Sequence, residues 1–145
     1  MTIIISKIIP YGSQEYQAAL SLRQAILRAP LGLDLMDEDL SGERENFHLG
    51  LFEGSRLLAT LMLIPTYDDQ FTLRQVAVDR HFQGRGLGRK LMVFAEKFAA
   101  NRGCKAIVLN ARASAKPFYE KQGYITISKP FTELGIPHIR MKKTL

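Results

Sequence analysis

The pattern of apolar and polar positions divides the chain into short segments typical of alternating strands and helices. The N-terminal stretch TIIISKII alternates weakly and is rich in β-branched residues, which indicates a first strand. Apolar residues then recur at helical spacing from Tyr16 to Leu27, after Ser13 as a candidate N-cap and before Pro30 as a stop signal. A strand followed by a helix is therefore predicted at the N-terminus.

The middle of the chain is predicted to be mostly strand. FHLGLFEGSRLLATLMLIP is typical of two strands joined at Glu53-Gly54-Ser55, a hairpin signal, and FTLRQVAVD predicts a further strand. Before this hairpin, residues 31–46 are acidic and rich in turn formers, with room for one short helix. We expect a solvated acidic loop there, with attraction of a cationic ligand as the alternative; its acids are Asp34, Asp37, Glu38 and Asp39.

A second helix and the remaining strands follow. Helical spacing from Leu87 to Phe98 predicts an amphipathic helix that ends near Gly103. The apolar run KAIVLNA is typical of a buried strand, and SAKPFYEKQG is typical of a short helix that ends at Gly123. The segments YITISK and HIRMKK predict two closing strands, which the turn PFTELGIP connects. Because a strand–helix–strand crossover joins parallel strands, the prediction is a mixed sheet with helices on its faces, an α/β or α+β fold. Residues 1–145 are expected to form one domain.

The amino-acid composition indicates in which cellular compartment the protein is expected and which kinds of partner it can bind. The chain is 46% hydrophobic and 23% charged, which is ordinary for a globular protein. Its single cysteine, Cys104, excludes an internal disulfide and fits a reducing compartment, so a cytoplasmic location is expected. The net charge of +6 favours an anionic partner. No basic run has the length of a nucleic-acid-binding tail and no apolar run that of a membrane span, so neither nucleic acid nor membrane is an expected partner.

The segment QGRGLGRK, residues 83–90, places three glycines beside two arginines and a lysine. Between a strand and a helix, such a loop leaves unpaired backbone N–H groups at the positive end of the helix dipole, and its glycines let an anion come close. The dipole alone stabilises an anion there by roughly 0.3–1 kcal/mol. A phosphate site is therefore predicted, with a plain tight turn as the alternative.

Two familiar phosphate-binding loops do not fit this segment. A P-loop needs a lysine and then Ser or Thr directly after its last glycine, whereas Gly88 is followed by Arg89, Lys90 and Leu91. A dinucleotide-binding turn needs G-x-G-x-x-G in the first strand–helix–strand unit, whereas Arg89 occupies the position of the third glycine and the segment lies past mid-chain.

A third pattern does fit, since Gln83-x-x-Gly86-x-Gly88 resembles the acyl-CoA-binding motif Q/R-x-x-G-x-G/A of the GNAT N-acetyltransferase superfamily. LNARASAKPFYEKQGY resembles the family's next strand and helix, which end in Y-x-x-x-G-[FY], and FTELGIPHIRM is similar to the C-terminal hairpin of small bacterial members. The resemblance covers most of the chain. It implies an enzyme that transfers an acetyl group directly from acetyl-CoA to a primary amine of an unidentified acceptor.

The resemblance also implies where acetyl-CoA would bind. The mixed sheet would splay open between the parallel strands that hold residues 76–78 and 107–110. The pantetheine would pair with the backbone of the first strand, and the pyrophosphate would bind the amides of residues 83–89. The implied cofactor-binding residues are Val76, Ala77, Val78, Gln83, Gly84, Arg85, Gly86, Leu87, Gly88, Arg89, Arg112 and Phe118. Many members have asparagine where this chain has Arg112, which is expected to reach a phosphate or the acceptor.

By the same resemblance, Tyr119 is expected to be the general acid that protonates the departing thiolate. The alternative is an aromatic packed under the sheet, a role for which Phe118 is the better candidate. A backbone N–H near residues 76–77 would stabilise the oxyanion. The general base is open: Glu133 and His138 flank a turn that should border the cleft, and a solvent-facing pair is an equal alternative for each. No metal is expected, and Cys104 is expected to be a small buried residue.

Functions of other classes remain open. A non-catalytic acyl-CoA sensor on the same fold is one, although the presence of Tyr119 disfavours it. A basic nucleic-acid-binding domain is another, but that class needs a stripe of lysine and arginine with stacking aromatics, and the basic residues here concentrate around one loop. A homodimer is neither predicted nor excluded.

Overall fold

The computed structural model describes residues 3–66 and 68–145 as a mixed sheet with helices packed on it. The strands are β1 (Ile5–Ile9), β2 (Phe47–Glu53), β3 (Arg56–Pro65), β4 (Gln70–Val78), β5 (Ala106–Arg112), β6 (Ile125–Thr126), β7 (Phe131–Glu133) and β8 (Ile136–Thr144). The α-helices are α1 (Gln14–Arg23), α2 (Leu87–Ala100) and α3 (Lys116–Glu120). Short 3₁₀ turns occupy much of the segment between α1 and β2.

The sheet has the strand order β1-β2-β3-β4-β5-β8-β6, and β7 pairs with β8. Only β4 and β5 are parallel among the described pairs, and α2 is the crossover between them. The β2–β3 hairpin turns at Gly54-Ser55, where Glu53 pairs with Arg56. The predicted mixed sheet, its parallel pair and its central hairpin are thus confirmed.

Two core clusters lie against different helices. The larger one packs Leu91, Ala95 and Phe98 of α2 against strand residues such as Ile107. The smaller one packs Tyr16 and Leu20 of α1 against Phe52 and Leu57. The strong helical spacing of α2 explains its burial on one face, and the two clusters confirm that helices cover both faces of the sheet.

The first helix ends differently from the prediction. Ser13 caps it as expected, because its Oγ accepts a hydrogen bond from the Tyr16 N–H at 3.1 Å. After Arg23 the chain continues as a π-helical turn, Gln24–Arg28, and then as a 3₁₀ turn that ends at Gly32 with φ of 70°. Pro30 is therefore inside the last turn rather than its stop. Proline is tolerated at the start of a helical turn because the N–H it lacks would have no partner there.

The C-terminal region corrects the prediction made from the local pattern, and it contains the hairpin that the family resemblance implied. The segment expected to be a turn, PFTELGIP, contains β7 and the start of β8, which form a hairpin around Leu134 and Gly135. These two residues have φ of 53° and 73°, and a leucine is an uncommon residue in a turn that requires positive φ. The predicted strand YITISK is reduced to the two residues of β6.

Within the described residues, no helix combines the length and the apolar character needed to cross a membrane.

Candidate active site

β4 and β5 pair along only part of their length. Their register runs from Gln70 opposite Ala106 to Leu73 opposite Leu109 and then stops. Gln75 has φ of 60°, a left-handed conformation uncommon outside glycine, and the pairing of β4 with β3 is irregular at the same level. β4 therefore diverges from β5, and the predicted splay of the sheet is confirmed.

A cleft of ≈ 840 Å³ occupies this opening. The residues predicted from the sequence that line it are Val76, Val78, Gln83, Gly84, Gly86, Leu87, Gly88, Arg89, Arg112, Phe118, Tyr119, Glu133 and His138. Two other predicted residues are not in its wall. Ala77 is buried where β4 pairs with Thr60 of β3, and the Arg85 guanidinium lies 5.1 Å from the centre of the Phe82 ring.

The glycine-rich loop runs directly into α2. Gly84 and Gly86 have φ of 78° and 76°, which other residues adopt only at a cost. Gly86 is the N-cap of α2 and provides no side-chain hydrogen bond, so the first N–H groups of the helix remain available at the positive end of its dipole. The Gln83 side-chain amide donates to the Val78 carbonyl at 3.0 Å and ties the loop to the end of β4.

Tyr119 is more buried than Phe118, whereas the sequence analysis expected Phe118 to be the more buried of the two. Phe118, expected to be the better candidate for packing under the sheet, is 37% exposed and lies over Gly88. Tyr119 is 9% exposed and belongs to the core cluster that contains α2. Successive residues of a helix point about 100° apart, so one of these neighbours faces the core and the other does not. The packing assignment for Phe118 was wrong.

The ring of Tyr119 is buried, whereas its hydroxyl makes no hydrogen bond to the described residues. The ring packs edge-on against Phe118 and Tyr124, with centroid distances of 5.0 and 5.9 Å. The residue lines the cleft, and in the described part of the chain its hydroxyl oxygen has no hydrogen-bond partner. Burial raises the pKa of Tyr119 to about 12. The phenol is therefore protonated at neutral pH and available as a proton donor to a group in the cleft.

Glu133 and His138 come together in the cleft wall. His138 is 7% exposed, and its Nε2 lies 3.7 Å from Oε2 of Glu133. Its Nδ1 lies 2.7 Å from the Ile136 carbonyl oxygen. Because a carbonyl can only accept, Nδ1 carries the hydrogen, and Nε2 of the neutral ring has the lone pair. The pair can therefore take up a proton at Nε2 with a carboxylate beside it.

Arg28 is a cleft residue that the sequence analysis missed. It lies in the π-helical turn after α1 and is 6% exposed. Its Nε and NH2 donate to the two carboxylate oxygens of Glu38 at 2.6 and 3.1 Å, and these hydrogen bonds hold the pKa of Glu38 below its ordinary value. Side chains in a π-turn are displaced from α-helical spacing, so the periodicity of the segment does not signal this position.

Arg74 and Arg140 are two further cleft residues that were not predicted. The Arg74 NH2 lies 3.6 Å from Oε1 of Glu133, and the Arg140 NH1 donates to Oδ1 of Asn110 at 3.2 Å. Arg74 follows the buried Leu73 on β4, and Arg140 lies between the apolar residues Ile139 and Met141 on β8. This alternation of apolar and polar residues could have identified the face on which the two arginines lie.

Other candidates lie outside the cleft. The acidic segment 34–39 contributes no wall residue. Asp34 and Asp39 are exposed and accept backbone hydrogen bonds from Met36 and Ser41, as expected for a solvated loop, whereas Glu38 is paired with Arg28. Cys104 is buried, with Sγ 3.1 Å from the Ala106 carbonyl oxygen, as expected for a small core residue. Across residues 3–66 and 68–145, no three His, Cys, Asp or Glu side chains are grouped as metal ligands.

A model of the acetyltransferase (GNAT) domain family matches residues 28–145. The chain belongs to the GNAT acetyltransferase family. The uncharacterized N-acetyltransferase YjcF of Bacillus subtilis (strain 168) is 28% identical over 137 residues, which cover 94% of this chain and 97% of the relative. The crystal structure of a protein from Lactobacillus plantarum, provisionally assigned as an N-acetyltransferase, has a TM-score of 0.86 and 28% sequence identity to this chain. The match covers 99% of this chain and 98% of the Lactobacillus chain.

A more distant solved structure of the same fold contains coenzyme A. Aminoglycoside 6'-N-acetyltransferase complexed with coenzyme A has a TM-score of 0.77 at 19% identity, covering 97% of this chain and 96% of its own, and at that identity it establishes the fold alone. As a GNAT protein, the present chain is an acyltransferase of a family that uses acyl-CoA. The predicted superfamily, fold and enzyme class are confirmed.

Proposed function

We propose that this protein is an acetyl-CoA-dependent N-acetyltransferase that moves the acetyl group directly from the thioester to a primary amine of a small acceptor, with residues 1–145 acting as one catalytic domain. The observation that carries the proposal is the unpaired hydroxyl of Tyr119 in the wall of a cleft between two diverging parallel strands. A protonated phenol in that position suits the release of a thiolate.

The free edge of β4 supports binding of an extended arm that contains amides. Beyond Leu73, the side of β4 that faces β5 pairs with no other strand among the described residues. Backbone N–H and C=O groups withdrawn from water need hydrogen bonds, and the amides of pantetheine match those of a strand. We assign this contact to the backbone of Val76, Ala77 and Val78, so the buried side chain of Ala77 does not count against its role.

The loop at residues 83–89 supports binding of the pyrophosphate. Gly84 and Gly86 have no atom within 4 Å of the place where a Cβ would stand, so a phosphate can approach the backbone there. Arg89 adds positive charge in the cleft wall, and Arg85 adds it within the loop but outside the wall. Arg112 would reach a phosphate or the acceptor from β5, and Phe118 offers an apolar ring to the cofactor.

Acetyl-CoA would supply the activated acyl group, and the residues of the chain would position the reactants and move protons. His138 would accept a proton from the acceptor ammonium at Nε2, and Glu133 would stabilise the resulting imidazolium. Loss of this proton frees the nitrogen lone pair that forms the C–N bond. Tyr119 would donate its phenolic proton to sulfur as the C–S bond breaks, and the second proton that the nitrogen loses on becoming an amide would restore the phenol. A positioned acid of this kind contributes about 10²–10⁴ in rate.

Calorimetry with coenzyme A and thiol release from acetyl-CoA test the proposal together. Amines, amino sugars, aminoacyl compounds and peptides form the acceptor panel, and mass spectrometry identifies the acetylated product. We expect coenzyme A to bind and at least one acceptor to yield equal amounts of thiol and N-acetyl product. Binding of coenzyme A without product from any acceptor would favour a non-catalytic acyl-CoA-binding domain. Binding of nucleic acid but not coenzyme A would overturn the proposal.

A further inference from the structure

One row of polar side chains crosses three neighbouring strands where the sheet begins to open. Leu73, Leu109 and Met141 pair with one another across β4, β5 and β8, and all three belong to the core cluster that contains α2. Side chains alternate between the two faces along each strand, so the adjacent row lies on the other face. That row consists of Arg74, Asn110 and Arg140, and each of these residues lines the cleft.

The positive charge of this row is only partly balanced. Arg140 donates to the neutral oxygen of Asn110, and within residues 3–66 and 68–145 it has no acidic partner. Arg74 has a long contact of 3.6 Å with Glu133 and a weaker electrostatic interaction with Glu38, which Arg28 already neutralises. Glu133 is the single carboxylate among the described wall residues, whereas five arginines line the same cleft: Arg28, Arg74, Arg89, Arg112 and Arg140. Of these, Arg28 is neutralised by Glu38, and Arg89 is used by the proposed pyrophosphate site.

This charge pattern disfavours a purely cationic acceptor. An amine without a compensating negative group would approach a wall of like charge before it lost its proton. Guanidinium groups bind carboxylate and phosphate through paired, charge-assisted hydrogen bonds. The side-chain amide of Asn110, between the two arginines, adds a further possible donor.

We infer that the acceptor carries an anionic group, a carboxylate or a phosphate, close to its amine, and that Arg74 and Arg140 bind this group across Asn110. The inference rests on the proposed N-acetyl transfer and names the class of its acceptor. Arg140 lies two residues from His138 on β8, a rise of roughly 7 Å. A compact molecule such as an amino acid or an amino-sugar phosphate can therefore present its amine to His138 and its anion to the arginines.

Acceptor binding, measured by calorimetry on protein saturated with coenzyme A, tests this inference without depending on turnover. Two matched pairs of probes separate the two anions: β-alanine against β-alaninamide, and glucosamine 6-phosphate against glucosamine. We expect the member of at least one pair that carries the anionic group to bind at least tenfold more tightly than its partner, which carries only the ammonium. If neither pair shows this preference, whether through equal affinity or through no binding, the inference is overturned.

Substitution of the arginines identifies the residues responsible. Arg140→Gln keeps an amide beside Asn110, and we expect it to weaken the anionic probe tenfold or more; Arg74→Gln should act in the same direction. Affinity for the probe without the anionic group and for coenzyme A should stay within about threefold. Lys142→Gln is the control, since Lys142 lies two residues along β8 on the same face but outside the cleft wall.

Equal losses in Arg140→Gln and Lys142→Gln would mean a general effect of charge and would overturn the assigned contact. The proposed function fails by a different result, namely absence of coenzyme A binding or of thiol release. The two failures are therefore distinguished by separate measurements on the same protein.

Discussion

The ring of Phe118 packs so closely over Gly88 that a Cβ at position 88 would stand 3.2 Å from the ring Cζ. Gly88 does not adopt a left-handed conformation, unlike Gly84 and Gly86, so its small size rather than its backbone freedom is what the site uses. The contact holds an aromatic ring beside the first turn of α2, at the edge of the proposed cofactor site.

Gly88→Val is expected to weaken coenzyme A binding tenfold or more with little loss of stability. The added methyl groups would push the Phe118 ring aside and reduce access to the N–H groups at the start of α2. The chain should remain folded, because the backbone conformation at position 88 suits any residue and Phe118 is 37% exposed and able to move. Calorimetry with coenzyme A and thermal unfolding measure the two effects.

Gly42→Val is the control for this substitution, since Gly42 has no positive φ and no atom within 4 Å of its Cβ position. It should leave both affinity and stability nearly unchanged. If displacement of Phe118 causes the loss, the double variant Gly88→Val with Phe118→Ala should bind no worse than Phe118→Ala alone. Additive losses would show that position 88 acts directly on the cofactor.

Tyr119→Phe is expected to lower kcat about 10–10³-fold while affinity for acetyl-CoA stays within a few-fold. The substitution removes only a hydroxyl that has no hydrogen-bond partner among the described residues, so packing and binding should survive. Steady-state rates of thiol release and calorimetry measure the two quantities. The deficit should shrink with a thioester whose thiol is a better leaving group, because protonation of sulfur then matters less.

Tyr124→Phe is the matched control in the same aromatic cluster. Its hydroxyl donates to Glu96 at 2.9 Å, so the substitution should cost about 1–2 kcal/mol of stability and leave kcat within about threefold. If Tyr119→Phe kept the full kcat, solvent rather than Tyr119 would be the acid that protonates the thiolate. Joint loss of acetyl-CoA affinity and stability in that variant would instead assign Tyr119 a packing role.

Local signals made most of the fold predictable from sequence. The spacing of Leu91, Ala95 and Phe98 fixes the buried face of α2, and Gly54-Ser55 marks the β2–β3 turn. The C-terminal hairpin followed only from the family resemblance, because Leu134 adopts a positive φ, which leucine does not signal. The end of β4–β5 pairing has no local marker either, because Gln75 is an ordinary strand residue by type; the opening followed only from the family resemblance.

The candidate site also has one part that the sequence predicted and one part that it did not. The glycine loop at residues 83–90 is contiguous, so its chemistry is readable along the chain. Arg74, Asn110 and Arg140 come from three strands, and only strand register brings them into one row. Arg28 reaches the cleft through a π-turn, a departure from α-helical geometry that apolar spacing does not reveal.

Glu43→Gln is expected to destabilise the fold by about 3–5 kcal/mol, the usual cost of removing one partner of a buried ion pair. The Glu43 carboxylate accepts hydrogen bonds from two Arg23 nitrogens at 2.8 and 2.7 Å and from the Tyr16 hydroxyl at 2.8 Å. In the variant, the buried Arg23 guanidinium has no compensating charge. Urea unfolding at neutral pH measures the loss, and Glu45→Gln, at an exposed position in the same 3₁₀ turn, is the control.

The pH dependence of stability should differ between wild type and Glu43→Gln. Burial alone would raise the pKa of Glu43, but hydrogen bonds from Arg23 and Tyr16 outweigh it and hold the pKa below its ordinary value of 4.5. A carboxyl with a depressed pKa stabilises the fold above its unfolded pKa, and this contribution is lost as pH falls through the folded pKa. The stability gap between the proteins should therefore narrow below about pH 4.5. A constant gap down to pH 2 would contradict the assignment.

His138→Gln is expected to lower kcat by about 10²-fold or more near neutral pH, whereas Glu133→Gln should cost less than about tenfold. The hydrogen bond from Nδ1–H to the Ile136 carbonyl leaves the proton-accepting lone pair on Nε2, and Glu133 acts on that ring from 3.7 Å. His81→Gln, at an exposed position outside the cleft wall, is the control and should leave kcat unchanged.

As pH approaches the pKa of the acceptor amine, the loss of kcat in His138→Gln should shrink, since a neutral amine needs no base. A deficit that is constant with pH would assign His138 to positioning, and a larger loss in Glu133→Gln than in His138→Gln would make Glu133, through a water, the base.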